Sequence, residues 1–448
     1  VRRATLLLSF LGAPAIVFAL SKVHAAQVAE PAYDFTGSSR FAWAVSFIAL
    51  LWIATYAFGL PDLPRSVREA VGVSAAVSAS ASIAVSLLQL LVGDALLPRF
   101  VVLGSALLLV PWQVAVNALA RSGRTRDEGR DRVLLIGADE ELDRLHTDLG
   151  IAPERPAVVV GHLTPAAAAP VDGVRPLIDE VLAHQVSVIV LDRTAQADDE
   201  VVSQAALLHE AGLRVRTLVQ FYEEWLGKLP IGELERASMF FDISEIHGQR
   251  YARAKRLMDL AMGVLGLVPF LLAIPFVLVA NLIANRGTLF YRQERVGRDG
   301  VAFQILKFRT MRADGRSDGT TEGSEWTAVG DPRVTPFGKV LRASHLDELP
   351  QVVNIVKGEL AVVGPRPEQP RYVRELSAAL PFYGMRHLVR PGLTGWAQVK
   401  YGYAGDEDDA LEKLQYEFFY LNHQGLGLDL RIVGRTLRAV LGSQGAGR

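Results

Sequence analysis

A chain of 448 residues with 50% hydrophobic side chains, a mean hydropathy of +0.22 and a formal net charge of −1 is too long for one compact domain and too apolar to be soluble throughout. The balance of 47 basic against 48 acidic residues gives no overall electrostatic drive toward nucleic acid, while local basic clusters remain available to phosphates or lipid headgroups. The absence of cysteine excludes disulfides, thiolate catalysis and cysteine-held zinc or iron–sulfur centres, and nine scattered histidines point away from a histidine-built metal site, so any metal is expected to be a hard ion held by carboxylates and substrate phosphates.

Four apolar runs open the chain, near residues 5–20, 41–60, 71–93 and 99–120. A helix crosses the bilayer core with about 20 apolar residues, and the last three runs approach that length. The first is interrupted by Pro14 and preceded by Arg2 and Arg3, so a signal peptide competes with a first span, but no convincing small-residue cleavage motif follows it. Arg2 and Arg3, Arg65 and Arg68, then Arg121, Arg124, Arg126, Arg130 and Arg132 mark alternate loops. The intervening loops carry only Lys22 and Arg40, then Arg99. The positive-inside rule therefore places the N-terminus and the chain after Arg121 in the cytoplasm, with residues 1–125 as a four-helix transmembrane bundle.

Arg132-Val133-Leu134-Leu135-Ile136-Gly137-Ala138-Asp139 reads as a buried parallel strand turning into a helix. Residues 157–160 and 186–191 repeat the apolar strand pattern, and 215–219 add a further candidate. The alternation predicts a small doubly wound, Rossmann-like α/β domain over residues 131–245. Its first turn is Gly137-Ala138-Asp139-Glu140 in place of Gly-x-Gly-x-x-Gly, so acids face the place of a pyrophosphate. The domain is expected to bind no dinucleotide and to be dispensable for chemistry.

Residues 257–283 are apolar for long enough to form a fifth span. A fifth crossing would carry the arginine-rich final third out of the cytoplasm, against the charge bias of the loops. Pro269 and Pro275 each remove a helical N–H and crowd the preceding turn. The segment is therefore expected to bend into a re-entrant hairpin, entering and leaving by one face, with Lys255 and Arg256 at one end and Asn285 and Arg286 at the other among lipid headgroups.

The run Leu289-Phe290-Tyr291-Arg292, the turn Arg298-Asp299-Gly300 and residues 303–308 predict a β-hairpin presenting Gln293, Arg295, Lys307 and Arg309 near the bilayer surface. Ser344-His345-Leu346-Asp347-Glu348-Leu349-Pro350-Gln351 then sets two adjacent carboxylates between arginine-rich, glycine-punctuated runs. Ser344-x-x-Asp347 fits a helix capping box, and acids are common in a first turn for dipole reasons alone. Pro350 instead suits the first turn of a helix that runs to Lys357 with Gly358 as its cap. The pair then stands at the positive end of a helix, among arginines, where a carboxylate stays ionised and a phosphate finds free N–H donors. A carboxylate that attacks phosphorus needs that environment. Leu411, Leu414, Phe418 and Leu421 form a packing stripe, and a final helix near residues 428–441 sets Leu428, Ile432, Leu437 and Val440 against Arg431, Arg435 and Arg438, as suits the inner membrane surface.

Four blocks occur in order: Phe303-Gln304-Ile305-Leu306-Lys307-Phe308-Arg309-Thr310-Met311, the carboxylate segment, Gly364-Pro365-Arg366-Pro367, and Arg390-Pro391-Gly392-Leu393-Thr394-Gly395-Trp396-Ala397-Gln398. From about Lys255 to the C-terminus they resemble the catalytic domain of the bacterial polyprenyl-phosphate sugar-1-phosphate transferases, the monotopic phosphoglycosyl transferase family. The resemblance implies a multi-domain membrane protein, in which an α+β catalytic domain with a re-entrant membrane helix occupies residues 250–448. That helix is commonly broken at Ser-Pro, where this chain has Ile274-Pro275. It also implies that Asp347 attacks the sugar-bearing phosphorus of a UDP-sugar, releases UMP and carries the phosphosugar until undecaprenyl phosphate takes it. Glu348 would orient Asp347, help hold Mg²⁺ or accept a proton, so Asp347 and Glu348 are the implied metal ligands. Lys307, Arg342, Arg366, Arg390 and Gln398 are the implied phosphate or substrate contacts.

One departure stands out: small family members continue Trp-Ala-Gln with Val-Asn-Gly-Arg, whereas Gln398 here leads to Val399-Lys400-Tyr401-Gly402-Tyr403. Lys400 is a candidate replacement for the missing charge, and Tyr401 or Tyr403 for stacking on uracil or sugar. The long, four-span form implies UDP-glucose or UDP-galactose as donor and initiation of an exopolysaccharide, capsule or O-antigen. The same chemistry on a UDP-N-acetylated sugar and a non-catalytic membrane scaffold are the alternatives; a nicotinamide-dependent dehydratase lacks its glycine-rich loop. The expected setting is multi-pass in the bacterial inner membrane with the catalytic domain facing the cytoplasm. The expected partners are the UDP-sugar, undecaprenyl phosphate and membrane lipids, with no nucleic acid and with room for a homodimer.

Overall fold

The computed structural model describes residues 2–61, 64, 66–92, 97–120, 130–152, 156–170, 174–230, 249–284, 287–311, 333–401 and 407–441. Arg65, Arg121, Arg124, Arg126, Asn285, Arg286, Gly402, Tyr403 and the 231–245 end of the expected middle domain lie outside the described residues. The chain divides into two compact units: Val1–Gly129 with Arg342–His345 and Gly427–Arg448, and Arg130–Leu341 with Leu346–Leu426.

In the first unit the four expected apolar runs are the helices α1 (Arg2–Val23), α2 (Ser39–Phe58), α3 (Val67–Val92) and α4 (Arg99–Ala120). Each is long and apolar enough to cross a membrane, and α1 continues through Pro14 without a break. Val17, Phe47, Leu51, Val85 and Val101 form the shared core. Among the polar groups inside it, Ser9 with Gln113 and the Asn117 amide N–H are paired across the bundle, as a low-dielectric setting favours. Ser9 donates to Gln113 Oε1 at 2.7 Å, Gln113 Nε2 returns a bond to the Ser9 carbonyl at 2.9 Å, and Asn117 donates to the Pro61 carbonyl at 2.6 Å.

The C-terminal helix Leu426–Leu441 packs part of its apolar stripe on protein. Ile432 is fully buried and Leu430 packs on Ala54, Phe58 and Val73. Gly434 lies so close to the Ala57 carbonyl that a side chain there would collide with it. Arg431 donates to the Tyr56 hydroxyl at 2.8 Å and Arg438 pairs with Glu69 at 2.8 Å. Part of its apolar stripe thus faces protein, while Leu437 and Val440 stay exposed.

The second unit begins with β1 (Asp131–Ile136), α5 (Asp139–Ile151), β2 (Ala157–Leu163), α6 (Pro176–His184), β3 (Val188–Leu191), α7 (Asp199–Glu210) and β4 (Arg214–Thr217). The strands form one parallel sheet in the order β2-β1-β3-β4, with helices as the crossovers. The last strand stops at Thr217, earlier than the apolar run suggests, because Thr217 and Gln220 form a capping box that starts a helical turn. At the C-terminal edge, where the strand order reverses between β1 and β3, the carboxylate of Asp192 fills the crevice. It accepts from the Ala138 N–H at 3.0 Å, the Ala195 N–H at 2.7 Å and the Thr194 hydroxyl at 2.7 Å. A protein carboxylate thereby takes up the Ala138 N–H at the first βα turn as well as the donors of its own turn after β3.

The apolar segment after the sheet is α8 (Gln249–Ala284), unbroken through both Pro269 and Pro275, so the interruption expected at a proline is absent. Then come the antiparallel hairpin β5 (Phe290–Val296) and β6 (Ala302–Phe308), α9 (Pro336–Ala343), a 3₁₀ turn over Leu346–Gln351 and α10 (Val352–Lys357), capped by Gly358 in the left-handed region at φ 89°. A short parallel pair, β7 (Ala361–Val363) and β8 (Gly392–Thr394), brackets α11 (Pro370–Ala379), and α12 (Glu407–Asn422) follows. Phe270 and Val277 of α8 share a core with Phe308, Leu341 and Val352. Leu229, from beyond the sheet, is buried with Tyr383, Leu414 and Phe418, so the chain just before the expected boundary at residue 250 contributes to the core around the later elements.

Replacing Asp192 with alanine strands the Ala138 and Ala195 N–H groups in a buried crevice, at a cost of about 1–3 kcal/mol. The Asp192→Ala chain is expected to unfold at a clearly lower temperature than the parent in the same detergent. Coincident melting curves would refute the plugged-crevice account.

Candidate active site

The site is assembled by three stretches of the second unit. Strand pairing sets Lys307 opposite Tyr291 on the hairpin. The hairpin is fastened to α10 by Asn354, whose amide donates to the Gln304 carbonyl at 2.8 Å and whose Oδ1 accepts from the Leu306 N–H at 3.1 Å. The 3₁₀ turn carrying Asp347 and Glu348 packs on β6 and leads directly into α10, so the pair stands at that helix's positive end as expected, with Pro350 buried inside the turn. Lys307 Nζ meets Glu348 Oε1 at 2.7 Å, and Arg366 Nη2 lies 3.6 Å from the same oxygen. All three side chains are partly shielded from solvent, where an ion pair is screened less than on an open surface.

Arg366 owes its place to two further arginines that sequence reasoning did not assign to the site. Arg386 Nη2 donates to the Arg366 carbonyl at 2.9 Å, and Arg295 Nη1 donates to the next carbonyl, Pro367, at 3.0 Å. Arg386 is 5% exposed and binds Glu417 through Nε at 2.9 Å and Nη2 at 2.6 Å. Burial opposes the charge on Arg386, but Glu417 with Tyr383 and Glu368 outweighs it and moves its pKa up. On Arg295 burial dominates and lowers the pKa, with Glu368 acting against it. Gly364 and Gly392 pass each other backbone to backbone, where a Cβ on either would collide with the facing chain. That close pass lets the loop bond to β8 through Gly364 N–H to Thr394 at 2.9 Å and Gly392 N–H to Pro365 at 2.8 Å.

The floor of the site is α8. Arg256 donates to the carbonyls of Ile355 and Val356 at 2.7 Å each, satisfying the last turn of α10. Gly263 and Gly266 let α10 approach closely: a Cβ at Gly266 would stand 2.8 Å from Val352 Cγ1. Asp259, fully buried, accepts from the Val362 N–H at 3.0 Å and so holds β7.

The other expected contacts are distributed differently. Gln398, on the short helix Trp396–Lys400, has its Oε1 buried without a hydrogen-bond partner among the described residues, in a small pocket lined by Gly364, Arg366, Gly395 and Glu417. An orphaned acceptor in such a pocket fits a ligand donor or a bound water. Burial, and after it the Arg256 charge, lowers the pKa of Arg390, with Asp259 acting against them. Arg342 stands in the last turn of α9, just before the carboxylate segment. Lys400 Nζ lies 5.1 Å from the Trp396 ring centroid, and Tyr401 donates to Asp409 at 2.7 Å. Among the described residues no group of three or more His, Cys, Asp or Glu side chains has the arrangement of a metal cage. Adjacent Asp347 and Glu348 offer the smaller donor set that suits an ion arriving with phosphate oxygens.

The sequence signal for Asn354 was present, since it is a lone amide in the apolar helix Val352–Lys357. No local signal marked Arg386 and Glu417, which are 31 residues apart and meet only in the folded chain.

Residues 250–443 match the family described as Bacterial sugar transferase. A protein from Aeromonas hydrophila named UDP-N-acetylgalactosamine-undecaprenyl-phosphate N-acetylgalactosaminephosphotransferase is 36% identical over 245 residues, covering 55% of this chain and 56% of that protein. A Caulobacter vibrioides protein named UDP-glucose:undecaprenyl-phosphate glucose-1-phosphate transferase is 37% identical over 194 residues, 43% of this chain and 71% of its own length. The exopolysaccharide production protein ExoY of Sinorhizobium fredii is 36% identical over 207 residues, 43% of this chain and 88% of its own. The chain spans about half the length of the Aeromonas relative and of a Xanthomonas campestris relative, at 56% and 45%.

His387, beside Arg386, has its pKa pushed down to about 4, chiefly by burial and then by the Arg386 charge. The folded chain therefore refuses a proton that the unfolded chain accepts near pH 6.5. The resulting stability is complete above that pH and is lost as pH falls toward about 4. The thermal midpoint is expected to drop between pH 7 and pH 4.5, and to drop less in His387→Gln. Equal slopes in the two proteins would contradict this role.

Proposed function

The chain belongs to the bacterial sugar transferase family, and we propose that it moves a sugar-1-phosphate from a UDP-sugar to undecaprenyl phosphate, giving undecaprenyl diphosphate-sugar and UMP. The carrying observation is the Asp347–Glu348 pair at a helix N-terminus, with Glu348 Oε1 held by Lys307 at 2.7 Å and faced by Arg366 at 3.6 Å. Attack by a carboxylate on a diphosphate brings two anions together, so the reaction depends on fixed cations and positioning. Here Lys307 and Arg366 supply two cations beside the Glu348 carboxylate.

In this reading an Asp347 oxygen bonds to the sugar-bearing phosphorus while the bond to the UMP oxygen breaks, and UMP departs with that electron pair. The phosphosugar is then an acyl phosphate on Asp347. An oxygen of undecaprenyl phosphate attacks the same phosphorus, and the Asp347 carboxylate is released. Glu348 keeps Lys307 and Arg366 aimed at the diphosphate and orients its neighbour. Gln398 would supply an acceptor to the nucleotide or sugar. Mg²⁺, held by Asp347 and Glu348 together with substrate oxygens, would neutralise part of the diphosphate charge. UDP-glucose or UDP-galactose remains the proposed donor. The Aeromonas relative's name keeps an N-acetylated sugar as the alternative, and a panel of UDP-sugars separates them by UMP release.

The same reading keeps both ends of α8 on one face of the membrane, as an unbroken helix in place of the bent hairpin expected from its prolines, and makes the parallel-sheet region a Rossmann-like domain without a dinucleotide. Support for the first comes from where α8 is fastened. Near its start Arg256 bonds to α10, in its middle Phe270 and Val277 pack on Phe308 and Val352, and near its end Asn281 donates to the Gly287 carbonyl at 2.7 Å. A helix fastened at its start and its middle to other elements of the second unit is in keeping with both of its ends lying on one side of the bilayer. Its opposite face exposes Leu257, Val268, Leu272, Phe276 and Ile283, the apolar surface that lipid would cover.

Asp347→Asn removes the attacking charge with little change of size. UMP release is expected to fall by about 10⁴-fold or more, as for losses of other nucleophiles. Incubation of the parent with labelled UDP-sugar alone should leave the label on Asp347; label on a different residue would overturn the assignment.

Topology has its own check, because the chain contains no cysteine of its own. Ala252→Cys and Ala284→Cys, introduced singly, should both react with a membrane-impermeant maleimide only from the cytoplasmic face. Reaction of Cys at 284 from outside intact cells would establish a crossing helix instead.

A further inference from the structure

We propose that Lys228 is a positioning residue that makes the parallel-sheet domain a working wall of the transfer site. The inference rests on the transferase reading above and concerns residues outside the 250–443 family match. Lys228 is 2% exposed, and its Nζ sits 2.8 Å from Asp148 Oδ1 and 2.6 Å from Glu412 Oε1. The rings of Tyr222 and Tyr416 flank it at 5.3 and 5.9 Å. Asp148 lies at the end of α5, in the sheet domain, whereas Glu412 lies on α12 among the catalytic elements. One buried cation therefore neutralises a carboxylate from each side, and removing it leaves two partly shielded acids facing each other.

Both neighbours of Lys228 in the chain bind the same catalytic elements. Gly227, in the left-handed region at φ 68°, offers its carbonyl to Trp396 Nε1 at 2.7 Å, and Trp396 begins the short helix that carries Gln398. Leu229 donates its N–H to the Gln415 carbonyl at 3.1 Å and packs on Tyr383, Leu414 and Phe418. Further along α12, Glu417 holds Arg386, which holds the Arg366 carbonyl, and Tyr420 donates to the Val363 carbonyl at 3.3 Å. Two paths thus lead from Lys228, one through Trp396 to Gln398 and one along α12 to Arg366. Both end on groups that the transferase reading assigns to the UDP-sugar. The sheet domain, expected from its degenerate phosphate turn to be dispensable for chemistry, instead fixes the helix that supports the phosphate loop. Burial raises the pKa of Glu412 while Lys228 acts to lower it, in keeping with a carboxylate that depends on this single lysine.

The test uses the full chain, with UMP release measured per folded molecule and the folded fraction followed by near-UV circular dichroism. Coupling through one packed contact typically changes affinity by about 2- to 30-fold. In Lys228→Met the KM for the UDP-sugar should rise within that range while kcat changes little, and Lys228→Arg should restore most of the loss. Asp148→Asn, which leaves every catalytic element unaltered, should shift KM in the same direction, and it carries the test alone if Lys228→Met does not fold. A parental KM in the folded variants, with only the melting temperature lowered, would reduce Lys228 to a structural tie and overturn the proposal. A parent chain that releases no UMP from any UDP-sugar would overturn the transferase reading first, and the positioning role with it.

Discussion

Glu348 Oε1 is where three separated stretches of chain are drawn together. Lys307 reaches it from a β-hairpin, Arg366 from a proline-flanked loop, and the carboxylate itself comes from a 3₁₀ turn at the head of a helix. An ion cluster of this kind contributes little to stability by itself, since desolvation offsets most of the Coulombic attraction. Its value is positional, and the surrounding structure reflects that. The hairpin, the loop and the helix that follows the carboxylates are each pinned again from behind by a polar side chain bonded to the backbone. Asn354 holds the hairpin, Arg386 and Arg295 hold successive carbonyls of the loop, and Arg256 completes the end of the helix that follows the carboxylates.

The apolar helix α8 is part of the same construction. Its glycines at 263 and 266 bring it against α10 closely enough that a larger residue would displace Val352 and Ile355. Its buried Asp259 bonds to β7, immediately before the loop that carries Arg366. The same helix turns a row of large apolar side chains outward. One face of α8 thus supports the elements that carry the carboxylate pair and the 364–367 loop, while the other is a row of exposed apolar side chains.

Much of this was legible in the sequence because it depends on local rules. Continuous apolar runs between turn signals marked the strands of the parallel sheet, and Pro350 with Gly358 marked the helix behind the carboxylates at nearly its observed limits. The failures have equally local causes. Leu218 and Val219 look like strand, but the Thr217–Gln220 capping box starts a helix there. Pro269 and Pro275 look like breaks, yet α8 stays helical through both, as proline permits where neighbouring packing accommodates the missing N–H. The C-terminal helix displays an amphipathic pattern, and a pattern states that an apolar face must be covered without stating by what; here Ala54, Phe58 and Val73 cover part of it.

What no local rule reveals is the layer of buried charges that aims the visible motif. Arg386 and Glu417 are 31 residues apart, and Lys228 meets Glu412 across 184. Each member, read alone, is an ordinary polar residue on a helix or loop. A charge removed from water must find a partner or lose its ionisation, so each such pair admits few arrangements of the elements that carry it. Hydrophobic contacts alone would tolerate small sliding between α12, the 364–367 loop and the sheet domain, because apolar packing is weakly directional. The guanidinium fork of Arg386, bonded to two carboxylate oxygens and one carbonyl, does not tolerate it. Lys307, Glu348 and Arg366 stand together on elements whose relative placement such buried pairs restrict.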